Sequence, residues 1–268
     1  MISIYLNGRL GNQLFQYIKI RIEADIHKCN FYIPSSSEES ISLYSDCSRK
    51  FSRYFELPVD GNPHYWTGSN LFQIDYGIND GVLNKIINEC EMSIADGSFL
   101  CGFYQTDYNF SNKQDFVKDI LKFNSEIETQ SSFFVKKYPT EEFCYIHFRG
   151  GDYKKINNWY LPKKYYDDAI EYVRMKFKIK KFIVITDDHK EAKSVFPDLE
   201  VLSNTQELDF YLIHKSKYTI IPNSSFSWWA AWLKDYNYVT VAPKGWFNYK
   251  SGGDFEPVGI NTNKFTYI

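Results

Sequence analysis

The chain has 268 residues, 44% of them hydrophobic, and a formal net charge of −2. That is enough apolar material for two cores of ordinary domain size, roughly 100–200 residues each. The balanced charge excludes the basic excess of a general nucleic-acid binder, and no apolar run reaches the roughly 18 residues of a membrane span. In chain order, "ISIYL" (2–6) reads as a strand, and a glycine turn leads into the amphipathic helix "NQLFQYIKIRIEADIHK" (12–28). "FYIP" (31–34) reads as a second strand, whereas Ser35 to Asp80 is rich in Ser, Gly, Asn and Pro and shows few elements. "SFLCGFYQT" (98–106) predicts another strand and "KQDFVKDILKF" (113–123) a helix.

From Phe143 onward the pattern alternates cleanly. "FCYIHF", "KFIVIT", "LEVL", "YTIIP" and "YVTVAP" read as strands, and helices separate them. The first helix has Pro162 near its first turn, and a third, "TQELDFYLIHKS", starts on a capping-box-like Asn204 and Glu207. This succession predicts an α/β fold with a parallel sheet covered by helices on both faces. The domains are expected at 1–138 and 139–250, with the boundary in "KKYPTEE" (136–142). The stretch 251–268 is expected to lead the chain back across the first domain. Five cysteines (Cys29, Cys47, Cys90, Cys101, Cys144) form no C-x-x-C pair, as expected of reduced thiols in a cytosolic setting. The N-terminus has no basic region followed by a long apolar one, so it reads as a first strand and not as a signal peptide. A soluble, cytoplasmic chain is expected, with peripheral membrane contact left open. Aromatics reach 19%, which fits dense packing or ring surfaces for stacking on a sugar or base.

In an open α/β sheet, ligands bind beyond the carboxyl ends of the strands. Three polar segments stand at such ends here: "HFRGGD", "TDDH" and "PNSSFS". Arg149 offers forked donors for phosphate oxygens beside two glycines that let a ligand approach the backbone; the alternative is a structural ion pair with Asp152. Ser224 and Ser225 open a helix whose free N–H groups and dipole can hold an anion; the alternative is plain capping by Asn223 or Ser224. Trp228, Trp229 and Trp232 follow at helical spacing and read as core. Asp209 could accept from a guanine's N1–H and N2–H₂ or be a solvated helix position. His147 could meet a base or ribose or be a satisfied core residue, and Asp187 and Asp188 could meet a ribose or cap a helix. "LNGRLGNQLFQY" lacks the third glycine of G-x-G-x-x-G and the lysine of a P-loop. Its glycine turn still admits a diphosphate, and Asn12 adds an amide donor. With no D-x-D, H-E-x-x-H or G-x-S-x-G, no metal ligand pair stands out, and arginine plus helix N-termini would carry the charge of a diphosphate.

Taken together, these segments resemble the α-1,2-fucosyltransferases of glycosyltransferase family 11. That family carries "GxLGNQxFQYA"-like, "HxRRGDY", "SDD"-like and "NSTFSWWAAWL" segments. Here they stand in the same order as "GRLGNQLFQYI", "HFRGGDY", "TDD" and "NSSFSWWAAWL", and "GFYQTDYNF" is similar to the family's mid-chain segment. "GRLGNQ" is also similar to the start of protein O-fucosyltransferases. The resemblance implies a GT-B-like α/β fold of two Rossmann-like domains facing a central cleft. The donor would be GDP-β-L-fucose, bound mainly by the second domain, and transfer to an acceptor glycan would be inverting and metal-independent. No cofactor is expected, and no metal. Arg149 would grip the β-phosphate, His147 and Asp209 would read guanine, and Asn223, Ser224, Ser225 and Phe226 would form the phosphate segment. Gly11, Asn12 and Gln13 would lie near the diphosphate, with Asp187 among the donor contacts. Arg149, Asn12 and Asp152 would be catalytic, Asp152 as a base. The departure is Gly150, where the family has a second arginine. It keeps open another GDP-deoxysugar donor, such as GDP-colitose, and a non-catalytic GDP-sugar-binding protein; a lectin would not require the ordered phosphate-type segments.

Overall fold

The computed structural model describes residues 2–4, 6, 8–33, 70–73, 98–101, 103–108, 110–155, 159–246 and 259–268. The chain forms two compact units, Met1–Lys122 with Pro257–Ile260, and Phe123–Glu256 with Asn261–Ile268. The expected region Ser35 to Asp80 lies outside the described residues except for one strand at Asn70–Gln73.

The first unit carries a parallel sheet of β1 (Ile2–Ile4), β2 (Phe31–Tyr32), β3 (Asn70–Gln73) and β4 (Ser98–Cys101), in the order β2-β1-β4-β3. Helix α1 (Leu10–His27) joins β1 to β2 and buries Leu14, Phe15, Ile18 and Ile22 on its sheet side. It ends on Lys28 in the left-handed conformation, whose N–H returns to the last turn. Helix α2 (Gln114–Ile120) buries only Val117 and Ile120. The returning segment is seated here by Gly259, whose carbonyl accepts from Asp107 N–H at 3.2 Å. A Cβ on Gly259 would stand 2.1 Å from Thr106 Oγ1, and its φ of +80° also favours glycine.

The second unit begins before the expected boundary, because helix α3 (Ser125–Lys137) packs within it. Tyr211 Oη donates to Glu128 Oε1 at 3.1 Å, and Phe123 packs its ring on Tyr211 and His214. Helix α3 was not foreseen, since it buries only Ile127 and Ser131 and leaves little apolar periodicity to read. Asn124 caps it, and Glu126 and Lys137 complement its two ends. Six parallel strands follow: β5 (Phe143–Phe148), β6 (Lys181–Thr186), β7 (Glu200–Leu202), β8 (Tyr218–Ile220), β9 (Val239–Ala242) and β10 (Thr266–Tyr267). Helices α4 (Lys163–Phe177), α5 (His189–Val195), α6 (Gln206–Lys215) and α7 (Ser225–Trp232) cross between the first five strands.

The strand order is β7-β6-β5-β8-β9-β10. Counted from β5, that is the 3-2-1-4-5-6 order of a doubly wound nucleotide-binding sheet, with its switch point between β5 and β8. Ile146, Phe148, Val184 and Val241 form a core with Tyr165, Tyr166, Ala169 and Val173 of α4. Trp228, Trp229 and Trp232 are all buried, as their spacing suggested. Each large side chain so buried contributes about 1.5–3 kcal/mol or more. The cap of α6 is Thr205, whose Oγ1 accepts from Leu208 N–H at 3.3 Å; Asn204, expected in that role, turns its amide elsewhere. The edge strand β10 was also missed, because a pair of residues carries no readable alternation. The described fold is thus the α/β class expected, with a parallel sheet in each unit. Among the described residues, Cys29 and Cys144 are free thiols, and no helix is long and apolar enough to cross a membrane.

Candidate active site at the switch point of the second sheet

The loops leaving β5 and β8 flank the switch point, and they carry most of the singled-out residues. Arg149 follows β5 directly, and its side chain is only 14% exposed. Its Nη2 donates to Asp152 Oδ1 at 2.7 Å, and its Nη1 is ion-paired with Asp187 Oδ2 at 2.5 Å. Its Cζ lies 5.3 Å from the centre of the Tyr153 ring, within the range of a cation–π contact. Arg149 Nε is buried with no hydrogen-bond partner. The ion pair with Asp152, weighed as the structural alternative, is therefore present, beside a second one with Asp187.

Gly150 N–H donates to Asp187 Oδ1 at 3.3 Å. Both carboxylate oxygens of Asp187 are thus engaged by the strand-end next door. Asp188 does the capping: its Oδ1 accepts from Glu191 N–H at 3.1 Å, and its Oδ2 meets Lys154 Nζ at 3.0 Å. Glu191 also accepts from Lys154 (3.0 Å) and from Tyr160 Oη (2.9 Å). These contacts hold the Asp188 and Glu191 carboxyls below their usual pKa range, chiefly through the Glu191 backbone N–H and through Lys154 respectively.

On the other side of the switch point, Asn223 is 2% exposed. Its Nδ2 donates to the carbonyls of Trp159 (3.1 Å) and Trp246 (2.7 Å), while its Oδ1 is buried without a partner. Tyr153 Oη donates to the Asn223 carbonyl at 3.1 Å, tying the two loops together. Ser224 is the N-cap of α7 and makes no side-chain capping bond; Ser225 is its first residue. The expectation of plain capping by Asn223 or Ser224 is therefore not what these side chains do.

Behind the loops, His147 and Phe226 lie ring to ring at 5.6 Å, and Phe226 meets Phe210 at 5.2 Å. Burial first, and the nearby Arg149 second, push the His147 imidazole down to about 3, so it is neutral and its buried Nδ1 lacks a partner. Asp209 is buried as well, not solvated. Its Oδ1 accepts from Asn204 Nδ2 at 2.8 Å. Burial, with Asp187 and Glu207 as lesser causes, pushes its carboxyl up to about 7 against the opposing Asn204 contacts. The second unit thus gathers His147, Arg149, Asp152, Asp187, Asp209, Asn223, Ser224, Ser225 and Phe226.

Gly11, Asn12 and Gln13 belong to the first unit, at the start of α1. Asn12 Oδ1 accepts from Gln105 Nε2 at 2.7 Å. Gln13 is fully buried and donates from Nε2 to the Gly8 carbonyl at 2.9 Å, closing the turn before the helix; its Oε1 is buried without a partner. Sequence reasoning missed Tyr153, Lys154, Glu191 and Asn204. Tyr153 and Lys154 follow "RGGD" directly and were within reach. Glu191 and Asn204 act through contacts that no spacing announces.

The profile of Glycosyl transferase family 11 matches residues 1–255, and the chain belongs to that family. It is 27% identical to an alpha-1,2-colitosyltransferase of Escherichia coli, over 94% of each chain. It is 24% identical to the O-antigen biosynthesis glycosyltransferase WbnK of Escherichia coli, over 90% of this chain and 93% of that one. Among solved structures it is similar to the fucosyltransferase NodZ from Bradyrhizobium, with a TM-score of 0.57 and 15% identity over 87% and 93% of the two chains. It is likewise similar to POFUT1 in complex with GDP-fucose, with a TM-score of 0.51 and 13% identity over the same shares. The chain is a glycosyltransferase whose fold is shared with these two enzymes.

Proposed function

We propose that this glycosyltransferase moves L-fucose from GDP-β-L-fucose to a hydroxyl of an acceptor glycan. Transfer is inverting and needs no metal ion, and the product is an α-1,2 linkage to galactose or a similar sugar. The observation that carries the reading is the convergence of Arg149, the start of α7 and the His147–Phe226 ring pair at the switch point of the doubly wound sheet. The acceptor oxygen attacks C1 of the sugar from the face opposite GDP as the bond to the β-phosphate oxygen breaks. Negative charge builds on the leaving diphosphate, where Arg149 and the N-terminal end of α7 stabilise it. His147, neutral, and Asp209 face the guanine. Asp152, expected as a base, is held in an ion pair with the Arg149 guanidinium. Stabilisation of the leaving group therefore comes before proton removal in this reading.

Arg149→Ala is expected to lower turnover by about 10²–10³-fold in a protein that still folds; near-normal turnover in a folded variant would refute the role. A second donor has specific support in the colitosyltransferase relative and in Gly150. Competition between GDP-fucose and GDP-colitose over a glycan acceptor array separates the two, and tight GDP binding with no transfer to any acceptor would favour a binding protein.

A further inference from the structure

Arg149 and Asp187 end neighbouring strands. β5 and β6 pair in parallel with Phe148 opposite Thr186, so the next residue of each strand faces the other across the sheet's edge. Asp187 takes the Arg149 guanidinium on Oδ2 at 2.5 Å and the Gly150 N–H on Oδ1 at 3.3 Å. It thereby grips both the arginine's head and the backbone just after it. Asp152 holds the second nitrogen at 2.7 Å, and Tyr153 offers its ring at 5.3 Å. A guanidinium held at both terminal nitrogens cannot turn freely, and each of those nitrogens keeps a second N–H for a ligand. Both oxygens of Asp187 are turned toward the strand end next door.

We propose that Asp187 is a positioning residue for the transfer reaction: it fixes the Arg149 guanidinium in the orientation that meets the donor's diphosphate, and it does not itself bind the nucleoside. The inference rests on the reading of Arg149 as the diphosphate ligand. Its distinguishing consequence is that Asp187 matters to ligands with phosphates and not to the nucleoside alone.

The test is calorimetric titration of GDP and of guanosine into the full chain and into Asp187→Ala, Asp187→Asn, Arg149→Ala and Arg149→Ala/Asp187→Ala. Asp187→Ala is expected to weaken GDP by about ten-fold and to leave guanosine within about two-fold. In the Arg149→Ala background, losing Asp187 is expected to add nothing further. Asp187→Asn, which keeps one acceptor oxygen, is expected to fall between wild type and Asp187→Ala. It carries the same comparison if the alanine variant fails to fold. Equal losses for GDP and guanosine would overturn the proposal in favour of a ribose contact, and additive losses in the double variant would overturn it in favour of independent roles. If Arg149→Ala bound GDP like wild type, the reading of Arg149 would fall first and the proposal with it.

Discussion

A Cβ on Gly150 would stand 2.8 Å from Asp188 Cβ and 3.0 Å from its Oδ2. Asp188 cannot yield cheaply, because it caps α5 and pairs with Lys154. The glycine is thus a condition for bringing the two strand ends this close. Gly150→Arg, which restores the family's second arginine, is expected to destabilise the fold by about 1–3 kcal/mol. Melting should therefore fall by roughly 2–4 °C per kcal/mol. An unchanged melting temperature with tighter GDP binding would show that the loop accommodates the side chain. Asp209 supports a second prediction at this scale. Its carboxyl is pushed up to about 7, so its stabilising contribution is complete below the ordinary carboxylate range and lost as pH rises through about 7. Guanine donors favour the ionised form, so GDP affinity should move the opposite way and rise about ten-fold between roughly pH 6 and pH 8. Asp209→Asn should abolish that part of the dependence while the phosphate's own titration persists. His147, held neutral down to about 3, contributes nothing in this window.

At the scale of elements, the loop after β8 is set by Asn223. Its amide binds two carbonyls from separate segments, and its own carbonyl receives Tyr153. Asn223→Ala is expected to cost about 2 kcal/mol, one for each lost hydrogen bond, read as a lower urea midpoint with the slope unchanged. It should also weaken GDP, since the start of α7 loses its support; a variant with native stability would show that the loops hold without the amide. The β-α alternation after Phe143 was legible because strands such as "FCYIHF" and "KFIVIT" are buried runs bounded by turn residues. The candidate loops were legible because they end those strands. The pairing of Asp187 with Arg149 was not, since cross-strand register appears only once the strands are aligned. Asp209 resembled a solvated position because its neighbours in sequence do not reveal that Asn204 and the α6–α7 packing enclose it. Helix α3 was missed for its thin apolar face, and Asn204 was mistaken for the cap because its side chain serves a residue five positions on.

At the scale of the whole molecule, arginine and helix N–H groups are the counter-charge of the diphosphate in the proposed transfer. Millimolar EDTA is therefore expected to leave turnover unchanged, and strict dependence on Mg²⁺ or Mn²⁺ in a transfer assay would refute that. The chain passes from the second unit into the first at Pro257–Ile260 and comes back for Asn261–Ile268. There Thr266 and Tyr267 pair with Val241 and Ala242, and the Lys264 ammonium, which also donates to the Trp232 carbonyl, meets the Lys234 carbonyl at 3.0 Å. During vectorial synthesis, five strands of the second unit's sheet emerge from the ribosome before the sixth. Until the later segment arrives, the apolar run Val239–Ala242 is an open border on which another nascent chain could add a strand. The excursion through the first unit therefore sets the order of closure, and chaperone dependence should concentrate in the interval between the emergence of Val239 and that of Tyr267.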